Sequence, residues 1–138
     1  MTPDSTQLEM DFDAIAAVLA AALNRVAPTG VWLTSERAYG GVGVFTNTSD
    51  GRHGGTGLPE SFPRGAAALP FLVESVLDGV QDDIAELTGL PWPSDPHSTK
   101  PLPEAWARVA DGQLTFGYGS IQLGDGYDIS GLIVTLSR

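Results

Sequence analysis

The sequence predicts a single α+β domain in which two amphipathic helices pack on one antiparallel sheet of about five strands. Two observations predict this class. Apolar residues recur at helical spacing in two separate stretches, and runs rich in β-branched and aromatic residues are separated by short glycine-bearing turns. The expected order is helix, β-hairpin, helix and then an antiparallel meander. One domain, 1–138, suits this length, because no repeat or linker divides the chain.

The first helix is expected over about residues 7–26. Thr6 and Glu9 fit a capping box, in which each side chain satisfies a free backbone N–H at the helix start. Pro28, which cannot continue a helix, ends it, and residues 1–5 are expected to be disordered. The apolar face recurs at alternating four- and three-residue steps, and consists of Leu8, Phe12, Ile15, Leu19, Ala22 and Val26.

A β-hairpin is expected next, from the runs 31–38 and 42–48, because β-branched and aromatic residues flank a glycine-bearing loop. Residues 49–66 follow, where glycine and proline are too frequent for a regular element. The sequence therefore predicts a long Gly/Pro-rich surface loop, and long loops in compact domains are often functional.

The second helix is expected over about residues 67–88, where apolar residues again follow helical spacing and acidic residues lie opposite them. Gly89 ends it in the manner of a helix C-cap. Residues 90–103 are rich in proline and predict a rigid, irregular crossing in which Trp92 covers the end of the helix.

The C-terminal third predicts a three-strand meander. The runs 106–110 and 113–118 flank Asp111-Gly112, a dipeptide that favours a tight hairpin turn. A second turn is expected at residues 124–126, which would return the chain along 127–136. The aromatic residues of the middle strand, Phe116 and Tyr118, are expected to pack in the sheet, and the alternative is that they line a shallow pocket.

The chain is strongly acidic: it has 17 Asp and Glu, 7 Lys and Arg, and a formal net charge of −10. Binding of phosphates requires clustered Lys and Arg, whereas these bases are scattered singly, so nucleic acid and membrane surfaces are disfavoured as partners. The absence of cysteine excludes disulfides and thiolate chemistry. A cytoplasmic chain fits this composition, and the N-terminus lacks the basic start of a signal peptide.

The most informative feature is a set of acidic residues on the second helix. Glu74, Asp78, Asp82 and Glu86 follow one another at four-residue steps, and Asp83 lies beside them. Residues four apart on a helix are neighbours, and like charges at that spacing repel by about 0.2–0.5 kcal/mol per pair. These five carboxylates are expected either to form a solvated face or to bind a basic protein partner.

No catalytic residue, cofactor or metal site is expected. The two histidines, His53 and His97, are far apart in sequence, and neither has a second histidine at helical spacing. The glycine-rich stretch 50–57 lacks the Gly-Lys-Ser/Thr ending of a phosphate-binding loop. If a small molecule binds, its expected polar contacts are Arg52, His53 and Tyr118.

The string Trp92-Pro93-Ser94-Asp95-Pro96-His97 follows the acidic helix and precedes Lys100-Pro101-Leu102. Residues 70–118 thereby resemble a group of uncharacterised bacterial proteins, in which an acidic helix leads into Trp-Pro-x-Cys-Pro-x-His and then His-Pro-Leu. Here Ser94-Asp95 stand in place of the cysteine and Lys100 in place of the second histidine. The resemblance implies no activity.

Three functions follow from these observations. The first is a small acidic protein-binding module, similar in composition to immunity proteins and secretion chaperones, that docks a basic partner through the second helix. The alternative is a small-molecule-binding domain or minor enzyme with a pocket near the 49–66 loop. The third is a subunit of an assembly, or a homodimer, joined through exposed strand edges.

Overall fold

The computed structural model describes residues 6–38, 40–58, 66–93 and 102–137. The predicted disorder of residues 1–5 falls outside these ranges. The elements in chain order are β1 (Thr6–Met10), α1 (Phe12–Asn24), β2 (Val31–Ala38), β3 (Gly41–Thr48), β4 (His53–Gly57), α2 (Leu69–Thr88), β5 (Ala105–Ala110), β6 (Gln113–Tyr118), β7 (Ile121–Asp128) and β8 (Ile133–Ser137).

The described strands form three antiparallel groups rather than the single sheet that the sequence predicts. One group is the pair β1–β8, the second has the order β2-β3-β4, and the third has the order β5-β6-β7. Helix α2 contacts both β4 and β5. Among the described strands, no hydrogen-bonded pairing joins β4 to β5. The prediction of an α+β fold with antiparallel strands and two helices is confirmed.

Helix α1 begins later than predicted, because residues 6–10 form a strand. Their backbone pairs with β8, so the capping box predicted at Thr6 and Glu9 is wrong. The helix is capped instead by Asp11, whose carboxylate accepts a hydrogen bond from the N–H of Ala14 at 3.2 Å. The N–H of Asp11 donates to the carbonyl of Leu132 at 2.8 Å, which ties the helix start to the C-terminal segment.

The predicted hairpin is confirmed as β2 and β3, whereas the predicted 49–66 loop contains a strand. The chain turns at Gly51, where φ is +88°, and returns along β3 as β4. The N–H of Thr48 donates to the carbonyl of Arg52 at 2.9 Å and closes the turn. Residues 59–65, the later part of the predicted loop, lie outside the described residues.

Helix α2 agrees closely with the predicted second helix. It ends at Gly89, whose φ of +74° and N–H bond to the carbonyl of Ala85 at 2.8 Å form the expected glycine cap. One side of the helix is buried in the core. Its buried residues are Leu69, Leu72, Val73, Val76, Leu77, Val80, Gln81 and Ile84.

The first two strands of the predicted meander are confirmed as β5 and β6, whereas its third strand is β7 (Ile121–Asp128) and not the predicted 127–136. The first turn uses positive φ at Asp111 and Gly112, as the Asp-Gly dipeptide predicts. The second turn is at Gly119, and β7 runs through residues 124–126, so the turn predicted there is wrong. The following segment, β8, pairs with β1 rather than continuing the meander.

Phe116 and Tyr118 of β6 are buried in the core, as the sequence predicts. Trp92 is buried, and its ring meets that of Tyr118 edge-on, with centroids 5.4 Å apart. Phe116 stacks on Tyr127 with centroids 5.8 Å apart. The string that continues from Trp92 lies outside the described residues beyond position 93, so His97 is not placed. Neither helix is both long enough and apolar enough to cross a bilayer.

Candidate partner-binding surface

The five carboxylates of α2 divide into two kinds according to what each one contacts. Glu74 is half-buried and turns toward β5, where its Oε2 accepts a hydrogen bond from the backbone N–H of Ala107 at 3.2 Å. It therefore satisfies a strand group that would otherwise be open to solvent.

Asp83 turns in the opposite direction, toward β4. Its Oδ2 accepts a hydrogen bond from the hydroxyl of Thr56 at 2.8 Å. A Cβ at Gly54 would lie 3.2 Å from the Asp83 carboxyl carbon, and a Cβ at Gly79 would overlap the Thr56 side chain, so both glycines permit the close approach of helix and strand. Burial raises the pKa of Asp83, and the nearby Glu86 and Asp82 charges add to this, while the Thr56 bond opposes it.

Asp78, Asp82 and Glu86 are exposed, and we call these three residues the acidic face. The ion pairs found among the described residues are Arg37 with Asp13 and Arg52 with Asp50, so no Lys or Arg in that part of the chain neutralises the acidic face. Partial burial raises the pKa of Asp78, and the negative charges of Asp82, Glu74 and Glu104 raise it further.

Two apolar side chains extend the acidic face at its ends. Phe71 is 65% exposed and lies on the same side of α2, because residues 71, 75, 78, 82 and 86 follow helical spacing. Leu90, just beyond the helix, is 67% exposed. An exposed aromatic residue beside charged groups is a common composition for a binding surface.

The three residues predicted to contact a small molecule do not come together. Arg52 lies in the turn before β4 and pairs with Asp50 at 2.9 Å. Tyr118 is fully buried, and its hydroxyl donates to the carbonyl of Leu77 at 2.6 Å. Burial, with the Asp78 and Asp82 charges, raises the pKa of Tyr118. Of the three, His53 lines a groove.

This groove has a volume of about 530 Å³ and lies on the outer face of the sheet β2-β3-β4. The ring of Phe45 lies across Gly55, where a Cβ would come within 2.8 Å of the ring. An adjoining depression of about 330 Å³ shares Ala38, Phe45 and His53 with it. The groove is mainly apolar, and its lining comprises Ala38, Gly41, Val42, Gly43, Phe45, His53, Gly54, Gly55, Gly57 and Leu58.

Among the described residues, no three His, Cys, Asp or Glu side chains are grouped so that they could hold a metal ion. The carboxylates of α2 spread around and along the helix rather than converging, because each four-residue step turns the side chain by about 40°. This arrangement suits attraction of spread positive charge rather than coordination of a single ion.

The sequence interpretation missed the internal bonds of Glu74 and Asp83, the exposure of Phe71 and the strand β4. For β4 a signal was present, since Asp50-Gly51 is a dipeptide typical of hairpin turns. No comparable signal marks the two internal carboxylates, because their partners are distant in sequence.

Comparison of the chain with protein-family models, with curated proteins and with solved structures finds no match.

Proposed function

We propose that this chain is a small acidic protein-binding module that docks a basic protein partner through the acidic face of α2. The observation that carries the proposal is the exposed set Asp78, Asp82 and Glu86, which no basic residue of the described chain neutralises. Phe71, exposed on the same side of the helix, would add an apolar contact.

The acidic residues of α2 repel one another in the free protein. Each like-charge pair at four-residue spacing costs about 0.2–0.5 kcal/mol in the free protein. A partner that brings Lys or Arg relieves this cost, and the net charge of −10 accelerates the encounter with a cationic protein. Glu74 accepts a hydrogen bond from β5 and Asp83 accepts one from β4, so the helix that carries the acidic face is in position before the partner arrives.

Immunity proteins that neutralise toxins, and chaperones of secreted proteins, combine small size, acidity and the absence of catalytic groups. Because this chain has a similar composition, a role like that of an immunity protein or a secretion chaperone is the one we favour. The partner would be a basic protein whose own function requires a cationic surface.

The test is capture of proteins from native lysate on the immobilised chain, with a matched pair of charge reversals. Glu86→Lys and Asp13→Lys change the net charge equally, but Asp13 is exposed on α1, which packs on β2 and β3, and it lines neither candidate surface. We expect Glu86→Lys to weaken a salt-sensitive complex about tenfold and Asp13→Lys to weaken it less than twofold.

The combined reversal of Asp78, Asp82 and Glu86 to Lys should abolish capture while the thermal transition remains cooperative. Capture of the same basic protein by this triple variant at low salt would contradict the proposal. The identity of the captured protein then follows by mass spectrometry.

A second candidate function is small-molecule binding in the groove on the outer face of β2-β3-β4. Its volume of about 530 Å³ falls within the range of ligand pockets, and His53 supplies a polar group. A ligand bound in the groove would raise the thermal stability of the protein whether or not the acidic face is intact. Thermal stabilisation by a small-molecule library that is lost in Phe45→Ala, but unchanged in the triple reversal, would favour this candidate.

A further inference from the structure

The edges of the two three-stranded sheets differ in how their backbone groups are satisfied. At the edge of β2, the amide of Asn24 bonds to both backbone groups of Leu33, accepting from its N–H at 2.7 Å and donating to its carbonyl at 2.8 Å. These two hydrogen bonds from one side chain occupy the backbone groups in the middle of the strand, so another strand cannot pair there without displacing Asn24.

The two edges of the sheet β5-β6-β7 are also occupied. Glu74 accepts from the N–H of Ala107 on β5, and the guanidinium of Arg25 donates to the carbonyl of Leu123 on β7. Three edge strands thus each carry a polar side chain from a helix or its cap on an outward-facing backbone group.

The edge of β4 has no such side chain among the described residues. The bonds from Leu58 N–H to the Val42 carbonyl and from Thr48 N–H to the Arg52 carbonyl, both 2.9 Å, set the hydrogen-bonding alternation between β3 and β4. In an antiparallel pair, every second residue then bonds to β3, and the residues between them direct their backbone groups away from it. These outward residues are His53, Gly55 and Gly57, and all three are exposed.

We propose that β4 is a strand-addition site, where the basic partner contributes an extended segment that pairs antiparallel with the open edge. This inference rests on the proposed function and gives its mode of recognition. Main-chain bonds to Gly55 and Gly57 would supply affinity, and the lack of side chains at these positions leaves the edge accessible.

The alternation of side chains determines the composition of that segment. A residue opposite Gly55 would project over the outer face of the sheet, into the groove beside Phe45. Its neighbours would project to the other face, where Asp83 contacts Gly54 and Thr56 and the acidic face of α2 begins. The segment is therefore one in which apolar and basic residues alternate.

Charge complementarity also selects a basic segment over a second copy of this chain. Pairing of two β4 edges would bring together two molecules that each carry a net charge of −10. Their α2 carboxylates would lie beside the shared edge and repel. A cationic strand instead meets opposite charge along the same edge.

The test uses the full chain and an acetylated, amidated peptide of alternating lysine and valine, about eight residues long, followed by calorimetric titration at low salt. Gly57→Pro removes an outward N–H that β3 does not use, and Gly57→Ala is its control, since a Cβ there meets nothing within 4 Å. We expect proline to weaken binding about five- to tenfold and alanine to change it less than twofold.

N-methylated peptides provide a second arm. In an antiparallel hydrogen-bonded pair, the residue opposite Gly55 bonds through its own N–H and shares its face, so the valine N–H groups would bond to β4. Methylation of the backbone nitrogens of the valine residues should abolish binding. Methylation of the backbone nitrogens of the lysine residues should leave the affinity nearly unchanged.

Equal affinities of the proline and alanine variants, or undiminished binding of the valine-methylated peptide, would overturn the strand-addition site. Absence of binding to the wild-type chain would overturn it as well. If neither Gly57→Pro nor valine methylation weakens peptide binding, while the triple reversal still abolishes partner capture, the strand-addition site is wrong and the acidic face is retained. If Gly57→Pro weakens peptide binding but the triple reversal leaves the peptide affinity and its salt dependence unchanged, the proposed role of the acidic face is wrong instead.

Discussion

The strands on the two sides of α2, β4 and β5, are both sheet edges, and each receives one carboxylate from the helix. Glu74 bonds to the backbone N–H of Ala107 and so occupies the edge of β5. Asp83 bonds to the side chain of Thr56, and no side chain from the described residues bonds to the outward backbone of β4. The helix therefore occupies a backbone group at the edge of β5, whereas at β4 it contacts a side chain only.

This difference shows that the acidic residues of α2 have separate tasks although the sequence presents them as one set. Glu74 and Asp83 fix the helix to its neighbouring strands, whereas Asp78, Asp82 and Glu86 remain exposed. The exposed three lie between a closed edge and an open one. In the proposed mode of recognition, a cationic segment attracted to them pairs with β4.

The largest effect is expected from opening the closed edge. Glu74→Ala removes the acceptor of the Ala107 N–H, and loss of one such hydrogen bond costs about 0.5–1.5 kcal/mol in the free energy of unfolding. Amide hydrogen exchange at Ala107 should accelerate about tenfold, since its N–H loses a partner. Two-dimensional spectra of the exchanging protein provide the measurement.

Glu74→Gln is the control for this change, because its amide oxygen can still accept from Ala107. We expect it to restore most of the stability and the slow exchange. Equal exchange rates in the alanine variant and the wild-type chain would show that Glu74 does not close the edge of β5.

A smaller effect is expected when one charge is removed from the acidic face. The raised pKa of Asp78, caused by partial burial and by Asp82, Glu74 and Glu104, means that its ionised form destabilises the fold. Two like-charge neighbours at helical spacing cost about 0.2–0.5 kcal/mol each, so Asp78→Asn should gain up to about 1 kcal/mol at pH 7. The gain should disappear below the unfolded pKa of about 3.9, where both states are protonated.

Asp128 is the control, because its pKa is shifted in the opposite direction to that of Asp78. Hydrogen bonds from Ser130, the backbone N–H first, lower the pKa of Asp128, so its ionised form stabilises the fold. Asp128→Asn should lower stability at pH 7, and the difference should shrink as the pH falls. Urea unfolding across the acidic range measures both variants; a parallel response of the two would contradict the assignment.

Much of the fold could be predicted because local signals determined it. The apolar spacing of α2, its glycine cap at Gly89 and the Asp111-Gly112 turn are each specified by a few neighbouring residues. The acidic face could likewise be predicted, because exposure follows from helical spacing once the apolar side is known.

The remaining features depend on partners that are distant in sequence. Residues 6–10 have a helical capping pattern, but pairing with β8 determines their conformation. β4 has the sequence His-Gly-Gly-Thr-Gly, in which Thr56 is the one strand-favouring residue, and it forms because β3 and α2 lie beside it. The different contacts of Glu74 and Asp83 follow from the same arrangement, and spacing alone could not separate them.

In the proposed mode of recognition, the acidic face of α2 and the edge of β4 form one surface for a basic segment. Nuclear magnetic resonance of the isotope-labelled chain, titrated with the alternating lysine–valine peptide, tests it most directly. We predict shifted amide signals at Gly55 and Gly57 together with residues 78–86 of α2. Shifts at Ala107 and Val109 of β5, with those of β4 unchanged, would contradict it.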